Sequence, residues 1–201
     1  LQFQQVLIAN LIGLGWLVGG FEIVSRVYAA SHPMAVESYF VSVGFKLLAV
    51  VILMGLPAVS FGATIPALLT SQRDVARDSG RLLFISSMAN AAGFVLMIAF
   101  LHRHFDYGVL IVIVAAFSAL SFIVYSQRSW GRILMGLAMF LAVVAIHRTL
   151  WNENQLYLGY TSFDSSEDLQ EVSAEMIFPE RFKGPQDVFS INRTQDDSYF
   201  F

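Results

Sequence analysis

Two charged residues, Glu22 and Lys46, fall inside long apolar stretches. An ionisable group in hydrocarbon serves a proton or substrate pathway, or it is held in a structural pair. Glu22 lies about eight residues before the first turnaround and Lys46 about nine after it, so on antiparallel helices they would share a depth. Arg26 is one helical turn from Glu22 and offers a second partner at i,i+4, with its head reaching the interface. The structural reading is the one taken here.

His102, His104 and Asp106 alternate at the end of an apolar stretch, and His147 closes another. Three histidines on one side would suit a metal or haem. The plainer reading is polar residues at helix ends, so no metal ligand is assigned. The sequence has no cysteine, which excludes disulfides, thiolate zinc sites, Cys nucleophiles and Cys-ligated clusters. No catalytic residue and no cofactor is assigned to these residues. The Asn192-Arg193-Thr194 sequon is too short a signal to carry weight.

The elements that would position these groups follow from composition. The chain is 201 residues long, 56% hydrophobic and only 13% charged. Soluble domains carry about 25% charged residues. Mean hydropathy is +0.63. An ordinary soluble enzyme and a disordered chain are excluded, and the net charge of −3 gives nucleic acid no footing. Charge divides the chain. Residues 1–147 hold eight Lys/Arg and five Asp/Glu, whereas residues 148–201 hold four and ten. This predicts a transmembrane domain over 1–147 and a soluble acidic tail over 148–201. The chain begins without Met and stops within an apolar run, so both ends read as cuts in a longer protein.

A membrane helix needs about 20 apolar residues. Five stretches qualify: 5–29, 38–70, 82–101, 108–125 and 133–147. The expected fold is an all-α polytopic membrane bundle of about five transmembrane helices with a small C-terminal soluble β-containing tail. Pro57 and Pro66 interrupt the second stretch, and a kink or break is expected near Gly55–Pro57. Gly15 and Gly19 form a GxxxG pair flanked by Gly13 and Gly20, and Ala89 and Gly93 repeat the spacing in the third stretch. Such residues let backbones approach in lipid. Asn90 lies mid-span, where an unpaired amide is costly, and is expected to face another helix. Trp130, Trp151, Tyr157 and Tyr160 flank the last span as aromatic-belt residues do. Arg73, Arg77, Arg81, Arg128 and Arg132 lie on the N-terminal side, against Arg26, Arg103 and Arg148 on the other. The positive-inside rule then puts the N-terminus in the cytoplasm and the tail outside.

The most distinctive stretch is Leu56-Pro57-Ala58-Val59-Ser60-Phe61-Gly62-Ala63-Thr64-Ile65-Pro66-Ala67-Leu68-Leu69. An arginine-bearing turn, Gly80-Arg81-Leu82, and Ser87-Met88-Ala89-Asn90-Ala91-Ala92-Gly93 follow. This resembles the membrane part of the bacterial fused major-facilitator-like/spermidine synthase family, whose helices read roughly LPxxxxGATxP and then GxLYAxNTxGA. Phe84 and Ile85 stand where the family often has Tyr and Ala. In the tail, Glu175–Phe178 and Gly184–Ile191 resemble the β-rich lead-in to the synthase domain. Residues 188–193 and 198–201 read as strands joined by the polar turn 194–197, and Ser165–Asp168 would cap a short helix or form a linker. The resemblance covers residues 45–105 and 171–201.

It implies an inner-membrane protein of bacteria whose aminopropyl-transfer domain would lie beyond Phe201. These residues carry no glycine-rich nucleotide loop, so the expected role is a non-catalytic membrane anchor or scaffold. An accessory subunit of a larger membrane complex, even a bioenergetic one, is the alternative. A membrane-bound aminopropyltransferase or polyamine transporter is a third reading for a fuller chain. The implied partners are the lipid bilayer and either other membrane subunits or the synthase domain itself.

Overall fold

The computed structural model describes residues 3–36, 38–69, 75–126, 129–152, 177–183, 188–193 and 199–200. Five helices among them are long and apolar enough to cross a membrane, so the chain is an integral membrane protein with a helical bundle. Helix α1 is Phe3–Val36 and α2 is Tyr39–Gly62, followed by the short α3, Thr64–Leu69. Helix α4, Val75–Leu96, continues through a π-helical turn at Met97–Leu101 into α5, His102–His104. Helices α6, Tyr107–Tyr125, and α7, Trp130–Leu150, complete the bundle. The fifth span therefore runs beyond His147, and the helix takes in the first three residues of the 148–201 tail.

The second span does not break near Gly55–Pro57. Helix α2 passes through Pro57 and ends at Gly62. Pro66 explains the position. A proline ring clashes with the carbonyl four residues back, and that residue is Gly62. The chain therefore turns at Ala63 and restarts at Thr64, which places Pro66 in the first turn of α3, where no intrahelical donor is missed. Pro57 is tolerated because its ring is buried against α1, and Ser60 Oγ donates to its carbonyl at 3.0 Å.

Helix α1 is the centre. Leu11 and Leu14 pack with Ala115 and Ala119 of α6 and Val143 of α7, flanked by Ile111, Met139 and Phe140. Helix α2 lies along another side of α1. Phe3 meets Tyr125 at one end, with ring centres 4.8 Å apart, and Phe21 meets Trp151 at the other, at 5.0 Å. Helices α1 and α7 therefore run parallel and α6 runs against both.

Residues Ile177–Lys183, Val188–Arg193 and Tyr199–Phe200 form strands β1, β2 and β3 in one antiparallel sheet of that order. Lys183 stands opposite Val188, and Asn192 opposite Phe200. The connecting segment 194–197, the acidic stretch 165–168, and Tyr157 and Tyr160 lie outside the described residues.

Glycine sets the closest approach between helices at Gly108. A Cβ there would overlap the indole nitrogen of Trp151 and lie 2.5 Å from Nε2 of His147. Gly44 has open space at the same position. Gly108→Ala should destabilise the bundle by about 1–3 kcal/mol. Gly44→Ala should leave it unchanged or slightly more stable. Thermal unfolding in mild detergent, followed by tryptophan fluorescence, checks both.

Candidate functional site

The polar groups of the spans were the candidate site, and the structure separates them. Glu22 is buried in α1, 9% exposed, and its Oε1 accepts from Nε of Arg26 at 2.8 Å, with Nη2 of Arg26 also at 2.8 Å. Lys46 is exposed on α2 and has no ion pair or hydrogen bond among the described residues. The interhelical Glu22–Lys46 pair is therefore not formed. Phe45, Leu48, Ala49 and Ile52 line the cavity between α2 and α1, and Lys46 is exposed beside them. An i,i+4 partner also reaches Glu22 without any need for α2.

The glycines of α1 work as packing positions. A Cβ on Gly15 would meet Val143 at 3.6 Å, and one on Gly19 would meet Ile146 at 3.0 Å, both on α7. Gly13 was noted only as a flanking residue, yet it admits α2. A Cβ there would stand 3.2 Å from Cα of Pro57 and 3.3 Å from Ser60 Oγ. The signal for that contact lies in the pairing of a glycine with a proline ring, which spacing within one helix does not show. Asn90 and Gly93 behave differently. Both are exposed on α4, nothing lies within 4 Å of a Cβ on Gly93, and Asn90 has no hydrogen bond among the described residues. Neither meets another helix among the described residues of this chain.

Trp16 was not anticipated. Its indole nitrogen donates to the Ile52 carbonyl at 2.8 Å, one residue before the carbonyl of Leu53 that Pro57 cannot serve. The ring separates two apolar cavities beside α1. One, about 450 Å³, lies against α7 along Gly15, Gly19, Val143 and Ile146. The other, about 200 Å³, lies against α2 along Ile23, Phe45 and Ile52.

His102, His104 and His147 each lie against a ring. His104 Nδ1 donates to the Phe100 carbonyl at 2.7 Å and stacks on the Phe100 ring. His102 lies 5.6 Å from the Tyr107 ring and His147 stacks 6.4 Å from Trp151. Among the described residues, no group of three His, Asp or Glu could hold a metal ion.

The chain matches no protein-family model, no curated protein and no solved structure.

The Glu22–Arg26 pair yields a cycle. Arg26→Met strips a buried carboxylate of a charged donor and should cost roughly 1–2 kcal/mol, discounted for the half-exposed guanidinium. Combining it with Glu22→Gln should recover part of that loss. Denaturation of the four variants in detergent measures the coupling, and a coupling of zero would mean the pair contributes nothing.

Proposed function

We propose that this chain is a non-catalytic membrane module, of spermidine-synthase-like ancestry, that acts as a scaffold for another membrane polypeptide. The observation that carries the reading is α4. None of its apolar span, Arg77–His104, is buried, whereas 56% of the most apolar 18-residue stretch of α1 is. Asn90 sits in the middle of that bare helix. A primary amide facing hydrocarbon has nothing to bond, and each unsatisfied polar group there costs several kcal/mol. Lipid chains cannot meet the need and a neighbouring helix can. The small residues around it, Ser87, Ala89, Ala91 and Gly93, allow that neighbour a close approach.

The ancestry rests on the Leu56–Leu69 block, the Ser87–Gly93 stretch and the tail motifs, with the antiparallel strands of residues 177–200 as supporting topology. In this reading the acidic tail is a soluble β-containing region at the end of the bundle opposite the N-terminus. It lies outside a bacterial inner membrane. The transport reading gains little support, because both cavities beside α1 are walled almost wholly by carbon.

Native mass spectrometry of the full-length protein, purified in mild detergent from its own membrane, tests the role. A stoichiometric second polypeptide is expected. Asn90→Leu should weaken its retention by about 1 kcal/mol, with the melting temperature of the isolated chain unchanged. A protein that leaves the membrane alone, with Asn90→Leu behaving as wild type, would refute the scaffold role.

A further inference from the structure

Lys46 says something about the partner's chemistry. It stands seven residues into α2, about 10 Å along a helix of 1.5 Å rise per residue. On α2, Phe45, Leu48, Ala49 and Ile52 line the cavity toward α1. Lys46 belongs to the outer surface with Leu47, Val50 and Val51, which are 63%, 57% and 64% exposed. A cation at that depth calls for an anion. The described spans do not supply one there: Glu22 is the one acid inside them away from their ends, and it is buried and held by Arg26. A second copy meets the same difficulty, since its Glu22 is equally enclosed. Two such α2 faces brought together would set lysine against lysine.

We infer that the outer face of α2 docks a transmembrane helix of a different membrane protein, one that carries an Asp or Glu at the depth of Lys46. This rests on the scaffold reading and names the chemistry of the polypeptide it retains.

The experiment uses the full-length protein in its native membrane, purified in mild detergent and weighed by native mass spectrometry. Lys46→Arg should keep the partner. Lys46→Met should lower its occupancy about tenfold or more, and Lys46→Glu should remove it. Lys46→Glu should regain it when the partner's acidic residue is changed to Lys. Lys46 has no polar contact among the described residues, so the variants should melt as wild type does, which separates lost docking from lost folding. A hydrophobic carbodiimide applied to native membranes should join the Lys46 amine to the partner's carboxylate as an amide, the reagent taking up the water as its urea. The cross-linked peptide identifies the acid.

A partner retained equally by Lys46→Glu would overturn this inference and leave the scaffold role standing. Loss of a bound anionic phospholipid alone on Lys46→Met would also overturn it, because Lys46 would then serve a headgroup. A dimer of this chain through α2 would do the same. Recovery of the wild-type protein with no partner at all would sink both readings together.

Discussion

Inside a bilayer the hydrophobic effect does not press helices together, since lipid chains are as apolar as leucine. Association must come from contact, and contact grows when backbones come close. Helix α1 supplies that closeness on two sides. Gly13 receives the Pro57 ring of α2, and Gly15 and Gly19 receive Val143 and Ile146 of α7. On a third side Leu11 and Leu14 meet Ala115 and Ala119 of α6. The small residue sits on α1 in the first two contacts and on the partner in the third. Either way one side gives room and the other fills it. Placing α6 and α7 on a common wall also brings Gly108 under His147 and Trp151. The far end of the bundle is thereby closed by aromatic rings.

Helices α6 and α7 cover one side of α1, and α2 covers another. Helix α4 reaches none of this core, although its composition is as suited to a membrane as that of its neighbours. A helix can be long, apolar and correctly placed in the chain and still have no partner inside it. Burial therefore runs from α1, the most enclosed span, to α4, the least. The cavities beside Trp16 are a smaller sign of the same economy. Glycines that permit close approach leave space where the facing side chain is short.

The spans were legible because composition alone decides them. Some twenty apolar residues with few charges admit no other outcome in lipid. The Gly15/Gly19 packing was legible for a similar reason, since its signal lies within one helix. Other features failed where the signal spans two elements or depends on phase. The sequence places a kink or break near Gly55–Pro57; the helix runs through Pro57, which packs against a glycine of another helix. Pro66 acts through Gly62, four residues earlier, and ends the helix there. Glu22 and Lys46 matched in depth, yet depth fixes only one coordinate. Lys46 stays exposed beside Phe45, and Glu22 already has Arg26 within reach on its own helix. Val188–Arg193 was read as a strand from its alternation and flanking polar turn, and it pairs with β1 and β3. Its wider setting depends on residues outside the described ones.

The polar side chains of the spans divide by reach, and the division explains which of them carry information about neighbours. Hydroxyls bond back to their own helix. Ser31 reaches the carbonyl of Tyr28, Ser121 that of Phe117, Ser126 that of Ile123 and Thr149 that of Ala145, all within 2.9 Å. Arg26 closes on Glu22 in the same local manner. Such groups satisfy themselves before any tertiary structure forms, so they say little about what lies alongside. An amide has two donors and an acceptor and cannot be satisfied by one carbonyl. A lysine ammonium asks for an anion. Asn10 illustrates the first case: it is buried in α1 with its Oδ1 unpartnered among the described residues. Asn90 and Lys46 are the exposed cases. Local bonding leaves them without a partner among the described residues, on α4, the least covered span, and on α2, which ties with α7 for the next.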